Sequence, residues 1–583
     1  MRLAFSSDKS VIFFIHSDGA EYKFLHNFPA FVKEGPYFCI PAKVHVLHNI
    51  VSRLQKAKRK LDLDKDVYDF LQQPFKLKDI PSSFRFHTEP MDYQRIALRY
   101  LWTVGSGGIL LEPGMGKSKV VLDYIHLANF KKVVIVCPKA LLFVWEDEIA
   151  IHRPELTYYT VKSTDWESER EGIKNAQVTI INYTKAVTFE KELASVGYEF
   201  IHLDEFLIKD PTTERTKSLT SLSKKIPYKC GGSGTLVNNS VLDVFAPSRY
   251  LEPGLVGFNY TNFKERHTVP NPKDKRQIVG YRRVDEARSV LDSCCIVMTK
   301  EKWLKNLPEK KFFDISVSLD EEQKNVYWGL TKNYIAEVNG RYVEVDNPLV
   351  MMSKLYQISN GFLYINEEES DIQNDCFELT GEDGPKKKKK KRTTHFFPSQ
   401  PKIRALEELI TGKLKNRRSL IWFNMEAEYQ LIKELLDKLG HSYLTIKGGD
   451  KEIGAKVRQF NRDASVQWLI CQAKSVNYGV TVMGTSREKL ESEGVEVLPG
   501  LSTEVHTEIF YSLNFSLEVY LQQQDRVHRL GQKHTCEYYR IFATTPVESR
   551  IKSAIEEKMT IRYDMLVDIA ESLRNDTGDL VKK

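Results

Sequence analysis

The sequence predicts an α/β protein: two parallel-sheet lobes with helical insertions, preceded by a small N-terminal α+β domain. Apolar runs rich in β-branched residues alternate with helix-like stretches from about residue 90 to 235, and the alternation resumes after residue 400. Continuous apolar runs between helices indicate parallel strands that are covered on both faces. A chain of 583 residues is also too long for one hydrophobic core, so several domains are expected.

The first predicted unit, residues 1–85, is an accessory domain. It mixes strand-like runs such as Val11–Ile15 with a basic helix-like stretch at residues 44–60, and it holds no catalytic constellation. Its position suggests substrate recognition. The basic stretch on its own is more typical of a structural helix with a solvated face, so both interpretations stay open.

The first lobe is predicted over residues 86–310, with a helical insertion from about residue 240. A helical protrusion and charged linker follow at 311–400. Its residues 366–400 turn from acidic to a run of lysines, Lys386–Lys391, followed by Arg392. Such a segment is typical of a mobile loop, a nuclear-import signal or a DNA-touching loop. The second lobe is predicted over 401–550 and a final brace helix over 551–583.

Composition excludes several classes of protein. The chain is 42% hydrophobic and 28% charged, with a formal net charge of +7, which is typical of a globular protein and compatible with nucleic acid. No apolar run approaches the roughly 20 residues that span a bilayer, and the N-terminus does not resemble a signal peptide. We therefore expect no membrane partner and an intracellular location, in the cytoplasm of a prokaryote or the nucleus of a eukaryote. The eight cysteines lack C-x-x-C spacing, which predicts reduced thiols and no zinc site.

One segment has the pattern of a phosphate-binding loop. An apolar strand ending at Leu111 runs into Gly114-Met115-Gly116, then Lys117-Ser118, and then a helix-like stretch. The glycines allow backbone N–H groups to close around phosphate oxygens at the positive end of the new helix. Lys117 is expected to reach the outer phosphates and Ser118 to hold Mg²⁺. The strict pattern has a glycine where this chain has Leu111.

A second candidate feature is Asp204-Glu205, which directly follows the apolar run Phe200–Leu203. A carboxylate at a strand end beside a phosphate loop is suited to bind Mg²⁺, and a second one can polarise the attacking water. We expect Asp204 to take the first role and Glu205 the second.

The third feature lies near the C-terminus, where Arg526 and Arg529 are three residues apart. This spacing predicts that both lie on one face of a helix. A planar, permanently charged guanidinium suits phosphate, so the pair is expected to stabilise charge on a γ-phosphate in the transition state. An exposed polar helix is the alternative.

Together these segments resemble the Swi/Snf-type superfamily-two helicase-like ATPases, over about residues 90–570. Gln94 matches the family's adenine-reading glutamine motif, and Pro546–Ile551 resembles the start of its brace helix. The family's motifs I to VI are matched in order at Leu111–Ser118, Val136–Leu142, Ile181–Tyr183, Asp204–Pro211, Ser233–Asn239, Leu420–Phe423, Asn477–Val480 and Asp525–Gln532.

The resemblance implies two RecA-like lobes that bind ATP and Mg²⁺ and a DNA-dependent ATPase that translocates on duplex DNA. It implies that Gln94 and residues 114–118 bind the nucleotide and that Lys139 and Lys474 contact the DNA backbone. The wording of Asp525–Gln532 is similar to the fork-remodelling and annealing branch, which favours branch migration, fork regression or annealing in replication, recombination or repair. A monomer is expected, and the compact build resembles viral or bacterial members.

The chain departs from the family pattern at three places. Leu207 stands where the family has a histidine that links hydrolysis to the second lobe and DNA, and Leu236 stands where proline is usual. Motif V lacks its paired glycines and is followed by an insertion, residues 484–503. Two alternatives therefore stay open: a remodeller that displaces proteins or nucleosomes, and a weakly hydrolysing DNA-binding scaffold.

Overall fold

The computed structural model covers the whole chain as two compact units, residues 1–305 with 561–583 and residues 306–560. Its described residues are 1–7, 11–16, 21, 32–34, 37–41, 43, 46–47, 50–51, 54–55, 59–72, 75–234, 240–252, 255–256, 259–272, 278–333, 335–338, 341–344, 348–366, 392–450, 452–475, 482–492 and 503–566. No helix within these residues is long and apolar enough to cross a membrane.

The N-terminal part of the first unit contains a five-stranded sheet in the order β3-β4-β2-β1-β5. Its strands are β1 Arg2–Phe5, β2 Val11–Ile15, β3 Val32–Glu34, β4 Tyr37–Pro41 and β5 Asp62–Leu63, and a helix follows at Lys65–Leu71. The pairs are antiparallel except β1 with β5. Strands and a helix are present here, as the sequence predicts, but the segment is not a compact unit of its own. Its apolar side chains, such as Leu3 and Phe14, belong to the same core cluster as Phe245 and Leu255 of the following lobe.

The lobe that follows is built on a seven-stranded parallel sheet in the order β14-β6-β11-β10-β7-β9-β8. The strands are β6 Gly107–Leu111, β7 Val133–Cys137, β8 Tyr158–Thr160, β9 Val178–Asn182, β10 Phe200–Asp204, β11 Tyr228–Gly232 and β14 Cys295–Met298. Every residue of β6, β7, β9 and β10 is buried. Both faces are therefore covered, which explains the uninterrupted apolar runs in the sequence.

Helices alternate with these strands. Several of them begin at polar caps; Asp165 and Thr213, for example, accept backbone N–H groups of the first helical turn. A separate antiparallel hairpin pairs β12 Thr268–Pro270 with β13 Ile278–Tyr281. The helices are Asp92–Val104, Lys117–Leu127, Leu142–His152, Trp166–Asn175, Tyr183–Thr188, Glu190–Leu193, Glu214–Ser223, Phe245–Leu251, Tyr260–His267, Val284–Cys294 and Lys300–Trp303, with 3-10 turns at Lys139–Leu141 and Val241–Val244.

The second unit has a six-stranded parallel sheet in the order β15-β24-β23-β20-β22-β21. Its strands are β15 Lys310–Val317, β20 Ser419–Phe423, β21 Tyr443–Ile446, β22 Trp468–Gln472, β23 Thr507–Phe510 and β24 Cys536–Ala543. Two antiparallel hairpins, β16 Ile335–Val338 with β17 Arg341–Glu344 and β18 Phe362–Asn366 with β19 Arg392–Phe396, lie outside this sheet. The predicted pair of parallel-sheet lobes is confirmed.

Helices also alternate with the strands of the second unit, as the sequence predicts for parallel strands. The helix Pro401–Thr411 begins with proline, whose fixed φ suits the first helical turn. The helices are Glu321–Asn333, Pro348–Ser359, Pro401–Thr411, Glu426–Lys438, Ile453–Arg462, Arg487–Ser492, Leu517–Gln524 and Pro546–Leu566.

Candidate nucleotide site

The predicted phosphate loop lies between strand β6 and the helix Lys117–Leu127. Gly114 and Gly116 have φ values of +83° and +76°, which glycine adopts far more readily than other residues. A Cβ at Gly116 would also lie 2.3 Å from Nε2 of Gln94. The loop thus needs glycine for its backbone path, and it leads into a helix N-terminus suited to phosphate.

Neighbouring segments hold this loop from two sides. The hydroxyl of Tyr93 and Nε2 of Gln94 both donate to the carbonyl of Met115, each at 3.0 Å. On the other side, the backbone N–H of Lys300 donates to the Glu112 carboxylate at 2.7 Å. The loop is therefore organised by the lobe itself, which lowers the entropic cost of binding a ligand there.

Gln94 lies where the glutamine motif predicts, beside the phosphate loop, and it is 6% exposed. Its Oε1 accepts the N–H of Met91 at 2.9 Å, which caps the helix Asp92–Val104. The contact between its amide and Met115 was not foreseen from the sequence, because it depends on the packing of that helix against the loop. Adenine reading by Gln94 stays a prediction.

Lys117 is the residue that connects the loop with the acidic pair. Its Nζ lies 3.3 Å from the carbonyl oxygen of Leu111 and 3.7 Å from Oε1 of Glu205. The two side chains of this ion pair are 10% and 8% exposed. Ser118 follows in the first turn of the helix and is half-buried. The fold thus brings Lys117 and Glu205, 88 positions apart in the chain, into direct electrostatic contact.

Asp204 ends strand β10 and carries a strongly perturbed carboxyl group. Burial, and then the charge of Glu205, raise its pKa to about 7, while Lys117 and a hydrogen bond from Trp145 Nε1 lower it. That hydrogen bond reaches Oδ2 at 2.9 Å. Because the neighbouring groups offset only part of the cost of burying this carboxylate, a cation bound beside it would stabilise its ionised form.

The donor set fits Mg²⁺ together with a nucleotide. Magnesium is held through one or two carboxylates and the phosphates, and it keeps several waters. Asp204 supplies such a carboxylate, and Oε2 of Glu205 is buried without a hydrogen-bond partner in the described part of the chain. Ser118 and Asp204 are the residues that would hold the ion.

The turn after Asp204 has a backbone conformation that no motif in the sequence predicts. Glu205 and Phe206 have φ values of +61° and +39°, a region that costs energy for residues other than glycine. The Phe206 ring fills the space beside Gly231, where a Cβ would lie 1.8 Å from its Cζ. Leu207, in the place of the family's histidine, packs half-buried against the apolar core.

His202 is a residue near the site that sequence reasoning missed. It lies two positions before Asp204 on β10, is fully buried, and neither ring nitrogen has a hydrogen-bond partner among the described groups. Burial, with a smaller contribution from Lys117, lowers its pKa to about 3, so the imidazole is neutral. Its ring packs edge-on against Trp145, with centroids 5.4 Å apart. In the sequence, the one feature that could have pointed to His202 is the presence of a histidine within an otherwise apolar strand.

The two arginines of the second unit do not lie on a helix, and that prediction is wrong. The helix ends at Gln524, and residues 525–530 form turns and bends. Side-chain hydrogen bonds hold this segment: the His528 ring bonds the carbonyl of Pro308 at 2.7 Å, and Gln532 Nε2 donates to the carbonyls of Val505 and Val527. Arg526 is 2% exposed and Arg529 is half-buried.

The two candidate DNA-contacting lysines each follow a strand of a parallel sheet. Lys139 is exposed in the turn after β7, and Lys474 is half-buried in the turn after β22. Their contacts with DNA stay predictions. Further segments named from the sequence lie outside the described residues: 235–239 with Leu236, 477–480 of motif V, 493–502 of the insertion, Lys386–Lys391, and 567–583 of the predicted brace helix.

A comparison with known protein families identifies the family of this chain. The SNF2-related domain matches residues 47–362, more than half of the chain. The chain belongs to this family, the Swi/Snf-type helicase-like ATPases, as the ordered motifs predict.

Several curated proteins are similar over most of the chain. The putative ATP-dependent helicase/translocase YwqA of Bacillus subtilis is 22% identical over 532 residues, which cover 87% of this chain and 52% of YwqA. The TATA-binding protein-associated factor MOT1 of Saccharomyces cerevisiae is 23% identical, over 85% of this chain and 28% of MOT1. The ISWI chromatin-remodeling complex ATPase CHR17 of Arabidopsis thaliana is 23% identical, over 81% of this chain and 42% of CHR17. The chain thus spans about half the length of these relatives or less.

Among solved structures, the Sulfolobus solfataricus SWI2/SNF2 ATPase core in complex with dsDNA is similar to 85% of this chain and 98% of that core. The two are 16% identical, with a TM-score of 0.38.

Proposed function

We propose that this protein is an ATP-driven translocase on duplex DNA that remodels branched DNA in replication, recombination or repair. The observation that carries the proposal is the meeting of Lys117, at the phosphate loop, with Asp204 and Glu205 at the end of β10. A loop for phosphate, a perturbed carboxylate for a metal ion and a second carboxylate for water are the parts that ATP hydrolysis requires.

In this proposal each residue of the candidate site has a separate role. Lys117 binds the outer phosphates, and the N–H groups of residues 114–118 surround them. Ser118 and Asp204 would hold Mg²⁺, which when bound would supply positive charge beside the phosphates. Glu205 orients the attacking water. Arg526 and Arg529 are proposed to stabilise charge on the γ-phosphate in the transition state.

Membership of the SNF2-related family supports DNA as the partner, and the name of YwqA supports translocation. We propose that Lys139 and Lys474 contact the DNA backbone after their strands. Phosphate contacts carry little sequence information and release counterions, so binding is expected to be sequence-indifferent and salt-sensitive.

The first test is ATP turnover with and without duplex DNA. We expect DNA to stimulate the wild-type protein and Lys117→Ala to abolish turnover, because the replaced ammonium group is the one beside the phosphate loop. Lys131→Ala, which removes an exposed lysine of the same lobe, is the control and should keep full activity. Turnover that responds neither to DNA nor to Lys117→Ala would overturn the proposal.

The preferred substrate needs a separate comparison. The amino-acid sequence of Asp525–Gln532 supports branched DNA as the substrate. The names of MOT1 and CHR17 instead support displacement of proteins or nucleosomes. We expect ATP-dependent conversion of a model fork and a Holliday junction on native gels, with reconstituted nucleosomes left in place. Sliding of nucleosomes with both branched substrates left intact would reverse this choice.

A further inference from the structure

The turn that presents Glu205 is the strained segment of the candidate site. Glu205 and Phe206 are consecutive non-glycine residues at positive φ, directly after the buried strand β10. Such a backbone persists only where its surroundings hold it, since each residue of this kind costs roughly 1–3 kcal/mol. The contacts across the turn therefore decide where the Glu205 carboxylate points.

One side chain spans this turn from end to end. The hydroxyl of Tyr183 donates to the carbonyl of Asp204 at 2.8 Å and accepts the N–H of Leu207 at 3.4 Å. These are the groups immediately before and after the two strained residues. Tyr183 is 3% exposed, so both hydrogen bonds are shielded from water.

The position of Tyr183 is itself fixed. It begins the helix Tyr183–Thr188 after strand β9, and Asn182 caps this helix by accepting the N–H of Lys185 at 3.0 Å. Within the turn, the Phe206 ring occupies the space that Gly231 leaves free. The turn is thus held by two contacts, the hydrogen bonds of the Tyr183 hydroxyl and the packing of the Phe206 ring.

We propose that Tyr183 is a positioning residue for hydrolysis, which holds the turn so that Glu205 is directed at the attacking water. This inference rests on the proposed ATPase function and on the role of Glu205 in it. It connects motif Ib to motif II within the first lobe, at the place where this chain has Leu207 instead of the family's histidine. Tyr183 itself touches neither nucleotide nor water in this proposal.

The test is Tyr183→Phe, which removes the hydroxyl and keeps the ring. We expect kcat for ATP to fall roughly 10- to 100-fold, as small misplacements of catalytic groups do. The KM for ATP should stay unchanged, because the contacts of the phosphate loop are intact. The matched control is Tyr198→Phe, which removes an equally buried hydroxyl that bonds Thr179 at 2.8 Å in the same lobe. It should keep the wild-type kcat.

A double variant separates positioning from general destabilisation. If Tyr183 acts through Glu205, then Tyr183→Phe should have no further effect on kcat in a Glu205→Gln protein, whereas independent effects would multiply. If Tyr183→Phe does not fold, Phe206→Leu loosens the other contact of the same turn and is expected to give the same loss of kcat at constant KM.

The outcomes keep the two proposals apart. A wild-type protein without ATP turnover overturns the proposed function. Normal turnover that Lys117→Ala abolishes, combined with equal kcat for Tyr183→Phe and Tyr198→Phe, overturns only the role of Tyr183. The role of Tyr183 would also be overturned if the fold-losses in kcat of Tyr183→Phe and Glu205→Gln multiplied fully in the double variant.

Discussion

At the scale of single residues, the candidate site combines local and long-range information. The phosphate loop could be predicted because its glycines, Lys117 and Ser118 are consecutive in the chain. The acidic pair could be predicted because it ends an apolar run. The strained φ values at Glu205 and Phe206, the neutral buried His202 and the contact of Gln94 with Met115 could not. They arise from side chains brought together by the fold, and no spacing in the sequence encodes them.

Glu508 on β23 gives a prediction about pH at this scale. It is fully buried, and Trp422 Nε1 donates to its carboxyl group at 2.7 Å. Burial raises its pKa from 4.5 to about 8, although Trp422, Arg526 and Lys310 act in the opposite direction. Between these two pH values the folded protein holds a proton that the unfolded chain releases. The free energy of unfolding should therefore fall as pH rises through this window.

Glu508→Gln should remove this contribution, because the amide keeps the shape of the side chain and does not titrate. The unfolding free energy should fall less steeply between pH 5 and pH 8 in this variant, with a slope that differs by the equivalent of about one bound proton. Urea unfolding at several pH values measures this slope. Part of the decline should remain, since burial also raises the pKa of Glu428 to about 7. Exposed Glu488→Gln is the control. An unchanged pH dependence in Glu508→Gln would contradict the prediction.

At the scale of elements, strands were predictable where their apolar runs are continuous, and helix ends were not. The prediction that Arg526 and Arg529 share a helix face used spacing alone. In the structure the helix ends at Gln524, and the side chains of His528 and Gln532 beyond it bond backbone groups of Pro308 and Val505. These contacts join residues that are far apart in the chain, so the local spacing of the arginines does not show them.

Strand β11 gives the prediction at this scale. Gly231 lies against the Phe206 ring, so Gly231→Ala should destabilise the protein by about 1–3 kcal/mol, the usual cost of an overpacked core. Gly280→Ala on β13, where the nearest atom to a new Cβ is 3.9 Å away, should have little effect. Denaturant unfolding measures both. In a Phe206→Ala background the Gly231→Ala cost should largely disappear, and its persistence would show that the ring is not the cause.

At the scale of the whole molecule, the chain divides into two units, but its N-terminal domain is not a separate one. Leu3 and Phe14 share an apolar core cluster with Phe245 and Leu255 of the first lobe. The Lys43 ammonium group also bonds the Glu252 carboxylate at 2.9 Å. Composition predicted several domains, but it could not show that residues 1–85 and the lobe contribute to one core.

Deletion of residues 1–85 should therefore do more than remove a recognition domain. We expect the shortened protein to unfold at a lower temperature and to lose ATP turnover with it, since apolar surface of the first lobe becomes exposed. Thermal melting followed by circular dichroism, together with turnover at a permissive temperature, tests this. Lys43→Ala, which removes one ion pair and keeps the core, should melt close to the wild type. A deletion variant as stable as the full chain would contradict the shared core.

The packing of Phe206 against Gly231 also couples two positions that are 25 residues apart in the chain. A side chain at position 231 would meet the phenylalanine ring, because the ring lies where a Cβ would stand. A smaller residue at position 206 would make room for a side chain at position 231, whereas a larger residue at 231 alone would overpack the core. The two positions are therefore expected to tolerate change together more readily than one at a time.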